Sequence, residues 1–215
     1  EPMAAIREAT VTYEKERLDF AAEVGAKNLE YVPGWTTPIL SRETTWKWAV
    51  EGFKRVAKYA EDVGVPIAVE FEPWQPSQEM FGRPRPLNVH TIDLMRKFAD
   101  ALDSEYSKIN LDLAHCYIAK ATRSDFENLK GYVIHTHCND TQGTVDTNDV
   151  PGRGKVPFRE YFGWLHDLGY DGYVSVELEA ADKPQEWAKE SFDCVKSILT
   201  ELGLYGTYSN PFKAK

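Results

Sequence analysis

The hydrophobic pattern of this chain switches repeatedly between the period of a helix and that of a strand, and most of the strand-like runs end on ionisable residues. The helical stretches are EATVTYEKERLDFAAEVGA, TTWKWAVEGFKRVAKYAEDVG, VHTIDLMRKFADAL, a short one around SDFENLKG, FREYFGWLHDLG and KPQEWAKESFDCVKSILTELG. Between them lie KNLEYVPGW, VPIAVEFEPW, KINLDLAH, YVIHTHCND and GYVSVELEA. Strand and helix alternating at intervals of roughly 30 to 45 residues spell consecutive parallel βα units. No composition break marks a linker, so the sequence predicts one α/β domain over residues 1–215.

Two parallel architectures compete. A doubly wound sheet with a nucleotide site places a glycine-rich turn after its first strand, and neither G-x-G-x-x-G nor G-x-x-x-x-G-K-[ST] occurs in that context. A (β/α)8 barrel gathers its chemistry at the C-terminal ends of several strands. That is where this chain carries its polar groups.

Composition narrows the partners. A hydrophobic fraction of 42% supports a sizeable core, while a net charge of -9 and a pI of about 5.1 argue against a duplex nucleic-acid binder, which needs a basic stripe. Three separated cysteines, Cys116, Cys138 and Cys194, form neither a disulfide framework nor a zinc knuckle, so a reducing cytoplasm is the expected location. No apolar run reaches the ~18 residues that span a bilayer, and the first twenty residues contain no signal-peptide core.

The ionisable strand ends are Glu70 and Glu72, Asp112 and His115, His135 and His137, and Glu177 and Glu179. Alternation of side chains puts the members of the three pairs two positions apart, Glu70 and Glu72, His135 and His137, and Glu177 and Glu179, on one face, so either could be the inward one. One carboxylate in such a place can simply cap the next helix. Four strands in series that deliver carboxylate, carboxylate with imidazole, imidazole and carboxylate to one face are better explained by a metal. Crowded carboxylates repel and take up protons unless a cation neutralises them, and oxygen-rich ligation with one nitrogen suits Mn2+, Mg2+ or Co2+.

These residues resemble the xylose-isomerase-like TIM barrels, which include sugar 3-epimerases, inosose isomerases and dehydratases, and abasic-site endonucleases. The resemblance runs in order through GVPIAVEFEP, INLDLAH, VIHTHCND, VPGRGKVPF and LGYDGYVSVEL, over about residues 20–200. It implies metal ligands Glu70, Asp112, His137 and Glu177, with Mn2+ the expected ion and Mg2+, Co2+ or Zn2+ the alternatives. It also implies that His115 contacts a substrate oxygen, that Arg153 of the PGRG turn lies near the pocket mouth, and that His135 is a neighbour of the site. Trp35, Trp74 and Tyr117, just past strand ends, are candidates for stacking on a sugar ring. Where the endonucleases carry a D-R-H element, this chain has Asp146, Thr147 and Asn148, so the additional histidine ligand is lacking and DNA repair is disfavoured.

The first strand seen matches the fourth of that family, so the chain is expected to carry the C-terminal five βα units of the barrel. A full barrel typically needs ~250 residues. The remaining strands are expected from a longer protein or a partner chain, and a homo-oligomer is a further expectation. The implied activity is isomerisation or epimerisation of a small sugar or polyol: Glu70 and Glu177 remove and return the proton beside a carbonyl while a metal stabilises the enediolate. A lyase on the same scaffold, of inosose, dehydroshikimate or C-glycoside type, and a scaffolding barrel subunit without turnover are the alternative readings.

Overall fold

In the computed structural model, which describes residues 1–74, 79–80, 83–84, 87–179 and 182–206, the helical stretches become α1 (Ala4–Glu23), α2 (Arg42–Val63), α3 (Ile92–Ala101), α5 (Arg123–Asn128), α6 (Phe158–Asp167) and α7 (Pro184–Glu201). Local chemistry sets their ends. The Ser41 hydroxyl accepts from the Thr44 amide at 3.1 Å to start α2, and Gly64 closes that helix in a left-handed conformation at φ 76°. Thr91 caps α3 in the same way through Leu94 N, and a reciprocal Thr122–Asp125 capping box opens α5.

The strands are β1 (Leu29–Tyr31), β2 (Ile67–Val69), β5 (Ser107–Asp112), β6 (Val133–Cys138) and β7 (Val174–Val176), hydrogen-bonded in the order β1-β2-β5-β6-β7. The printed pairs β1–β2, β2–β5 and β6–β7 are all parallel. A short antiparallel pair, β3 (Glu79–Met80) with β4 (Arg83–Pro84), follows β2 and has no alternating apolar signature in the sequence.

One element differs in kind from its expectation. LDLAH reads as the end of a strand, yet only Leu111 and Asp112 belong to β5, and Leu113–Ile118 forms a short helix, α4. The reason is the Asp112 carboxylate, whose Oδ1 accepts from the His115 backbone N at 2.7 Å and so nucleates a helical turn directly off the strand.

Contacts gather the chain into two compact units, Glu1–Leu111 with Gly131–His135, and Asp112–Lys130 with Thr136–Lys215. In the first, α1 buries the stripe Val11, Glu14, Leu18 and Ala21. Tyr31 stacks on Phe53 at 4.3 Å, and Phe98 receives Trp46 edge-on at 5.4 Å. In the second, Phe126 of α5 packs against Tyr161 and Trp164 of α6, both at 5.1 Å.

Glu14 is an acid within that first stripe. Burial raises its pKa despite the Arg17 ion pair at 2.8 Å. A carboxyl whose folded pKa lies above its unfolded value weakens the fold as pH rises through that window, and the cost persists above it. Glu14→Gln is therefore expected to be more stable than the parent at pH 7 and equal to it at a pH below both values. Arg17 keeps a third of its side chain in solvent, so the gain stays under about 1 kcal/mol. Urea midpoints at the two pH values measure it, and an equal offset at both would disprove the assignment.

Candidate metal centre

The second unit supplies a compact polar group at the ends of β5, β6 and β7. Asp112 is fully buried at the β5–α4 junction, held by its capping bond to His115 N. His137, one residue before the end of β6, donates from Nδ1 to Glu177 Oε2 at 3.1 Å. Glu177 leaves β7 with its backbone N bonded to Cys138 O at 3.3 Å, which fixes its side chain beside the end of β6. The His137 bond is the chief reason the Glu177 carboxyl sits below its ordinary range, against an opposing push from partial burial.

In the first unit Glu70, one residue past β2, is 5% exposed and its Oε2 accepts from Asn110 Nδ2 at 2.9 Å. In the second unit Asp112, His137 and Glu177 each offer one ligand atom, and those atoms lie within 4.8 Å of one another. Donors bound at about 2.0–2.2 Å stand at most about 4.4 Å apart, so a few tenths of an ångström of movement would close these three on an ion. Two carboxylates and one imidazole fit a hard or borderline divalent cation.

The competing members of each pair fall elsewhere. His135, Glu72 and Glu179 lie outside this group, which is the one such cluster among the described residues. Glu72 N bonds to Val89 O, and Glu179 is exposed. His115 stands on α4 rather than at a strand end, nearly buried, with Nε2 3.1 Å from Asp146 Oδ2. Trp35 and Trp74 are 41% and 39% exposed, which leaves ring surface open to stack on a ligand. Tyr117 of α4 lies against Gly143, where a Cβ would come within 2.8 Å of its ring.

Arg153, expected near the pocket mouth, is engaged by α7. Its guanidinium makes a bidentate ion pair with Glu190 and lies 5.1 Å over Trp187, so both contacts tie the PGRG turn to α7. The planar fork of arginine favours this paired acceptor, and a neighbouring indole face adds a cation–π contact.

Sequence reasoning missed two supporting residues. Asn110, two positions before Asp112 on β5, shares its face by alternation and reaches Glu70. Asp140, within HCND, collects four backbone N–H groups: Thr141, Gly152, Gly154 and Val156, at 2.8–3.0 Å. Its buried carboxylate thereby organises the loop between β6 and α6. Gly154 is required there, because a Cβ would fall 2.2 Å from Asp140 Oδ1 and 2.5 Å from the Thr141 carbonyl. Gly154→Ala is expected to cost about 1–3 kcal/mol in urea unfolding, and a change below 0.5 kcal/mol, about the usual scatter of surface substitutions, would show that the loop yields freely.

Comparison with known proteins supplies the family. A family model described as xylose isomerase-like TIM barrel matches residues 1–198. Fructoselysine 3-epimerase of Escherichia coli O157:H7 is 28% identical over 173 residues, 78% of this chain and 58% of that protein. The chain thus spans little more than half the length of this curated relative. Among solved structures, a D-tagatose 3-epimerase-like protein superposes with a TM-score of 0.81 at 22% identity, covering 94% of this chain and 73% of the other. The IOLI protein with a bound zinc atom gives 0.75 at 20% identity, covering 94% and 72%.

Proposed function

From the premise that this chain belongs to the xylose isomerase-like TIM barrel family, we propose that it is part of a divalent-metal-dependent sugar isomerase or epimerase. The observation that carries the reading is the convergence of Asp112, His137 and Glu177 within 4.8 Å. These three residues, with Glu70 as the proposed fourth ligand, would hold the ion, with Mn2+ the expected occupant. A divalent cation there supplies positive charge beside neighbouring oxygens of the substrate and so acidifies the C–H next to its carbonyl.

The chain's own residues do the rest. Glu177, kept ionised by the His137 bond, accepts the proton from the carbon beside the carbonyl, and Glu70 is the partner that returns one. The Asn110 amide holds Glu70 Oε2, so the carboxylate keeps one orientation through the cycle. His115 donates a hydrogen bond to a substrate oxygen, and the exposed faces of Trp35 and Trp74 shield the ring from water. Fructoselysine 3-epimerase among the relatives supports a ketose or ketose-like substrate.

The test incubates the Mn2+-loaded protein with ketohexoses and with 3-keto glycosides in D2O. An epimer or isomer carrying deuterium at the abstracted position is expected. Release of a leaving group would replace the reading by a lyase. Stoichiometric metal with no exchange into any of these compounds would overturn it.

A further inference from the structure

We propose that Asp146 is a positioning residue for His115, set in place by the loop that Asp140 organises. The proposal rests on the reading of His115 as a donor to substrate oxygen. It concerns the second unit alone.

Asp146 Oδ2 lies 3.1 Å from His115 Nε2, and the two side chains are 15% and 5% exposed. A carboxylate accepts, so the ring carries its proton on Nε2 and presents an N–H, not a bare nitrogen, to the edge it shares with Asp146. Asp146 thereby aims that N–H, which a substrate oxygen would share with the carboxylate in a three-centre bond. The backbone of the same histidine is fixed independently, through its N–H to Asp112 Oδ1 at 2.7 Å. Main chain and ring are thus each anchored by an aspartate, one on the strand end and one on the loop. The His115 N–H on Asp112 Oδ1 sets the pair beside the candidate centre.

The loop between β6 and α6 is long enough that it would wander without internal ties, since each ordered residue costs conformational entropy. It has those ties. Asp140 gathers the Thr141, Gly152, Gly154 and Val156 amides, and its own backbone exchanges two bonds with Asp149, at 2.8 and 2.9 Å. The Asn139 side-chain amide bonds Asn148 Oδ1. Thr141 Oγ1 donates to Val145 O at 2.5 Å and accepts from Gly143 N at 3.1 Å, closing a tight turn just before Asp146. Gly143 at φ 99° lets that turn rest against Tyr117, two residues from His115 on α4. Every one of these contacts fixes where Asp146 emerges.

The experiment reads the histidine directly. Nitrogen-15 spectra of histidine-labelled protein with Mg2+, which is diamagnetic, are expected to show His115 as the Nε2–H tautomer in the parent and in Asp146→Asn, whose amide oxygen still accepts. Asp146→Ala should lose that signature, and Asp146→Ser, too short to reach the ring, serves as a second loss variant should the alanine protein not fold. Metal content should stay unchanged in all. In turnover, Asp146→Ala is expected to lower kcat on the order of 10- to 100-fold, the usual loss for an outer partner, with Asp146→Asn restoring most of it. Asp146→Ala added to His115→Ala should cost nothing further. An unchanged tautomer in the loss variants, or additive effects in the double variant, would overturn the proposal. If no sugar is turned over, the functional reading fails while the tautomer result still decides this one.

Discussion

His137→Ala is expected to lose the metal while His135→Ala keeps most of it, although the two histidines stand one residue apart on β6. The His137 ring is the one nitrogen donor in the group with Glu70, Asp112 and Glu177. Without it, three carboxylates remain with one fewer donor, and their mutual repulsion favours taking up protons over holding an ion. Loss of an outer partner typically weakens a metal site by about 10- to 100-fold, so removal of a direct ligand is expected to cost on the order of 100-fold or more. Equilibrium dialysis against Mn2+ followed by elemental analysis gives the answer. Equal losses from both substitutions would mean that His135, not only His137, faces the ion.

Glu177→Gln should abolish measurable exchange of the substrate proton. The change keeps the side chain's shape and its ability to accept from His137, now through an amide oxygen, and removes the basic lone pair. A positioned acid or base is typically worth 10²- to 10⁴-fold, and the same substitution also takes one negative charge from the ion's surroundings. Because Asn110 donates to Glu70, Glu70→Gln offers an informative comparison: its amide can flip to clash donor against donor with Asn110 Nδ2. Deuterium exchange into substrate, measured at matched metal occupancy, separates loss of the base from loss of the ion. Retention of more than a tenth of parental exchange by Glu177→Gln would remove it from the role of base.

Much of this was legible in the chain before any coordinates. The buried parallel strand β2 reads as a continuous apolar run, and its three residues are all buried. Ser41, Gly64 and Thr91 mark helix ends by chemistry that acts within four residues, so their signals survive in sequence. The short helix α4 was not legible, since LDLAH satisfies a strand pattern and only the Asp112 capping bond converts it. The partner of Arg153 was not legible for a similar reason: the PGRG turn is a local feature, but Glu190, which captures the guanidinium, lies far along the chain on α7.

The residue types and their order along the strands, an acid, an acid, a histidine and an acid, were determined by the sequence itself, as was the parallel βα layout that sends strand ends one way. Alternation makes residues i and i+2 equivalent, so the strand pattern alone does not separate the members of such a pair, and only a folded chain brings Asp112, His137 and Glu177 together. Tertiary structure also decided the support: Asn110 on Glu70, Asp146 on His115, and four amides on Asp140. Hydrogen bonds between residues 12 to 40 positions apart leave no periodic trace in a sequence, because their partners meet only when the chain has folded.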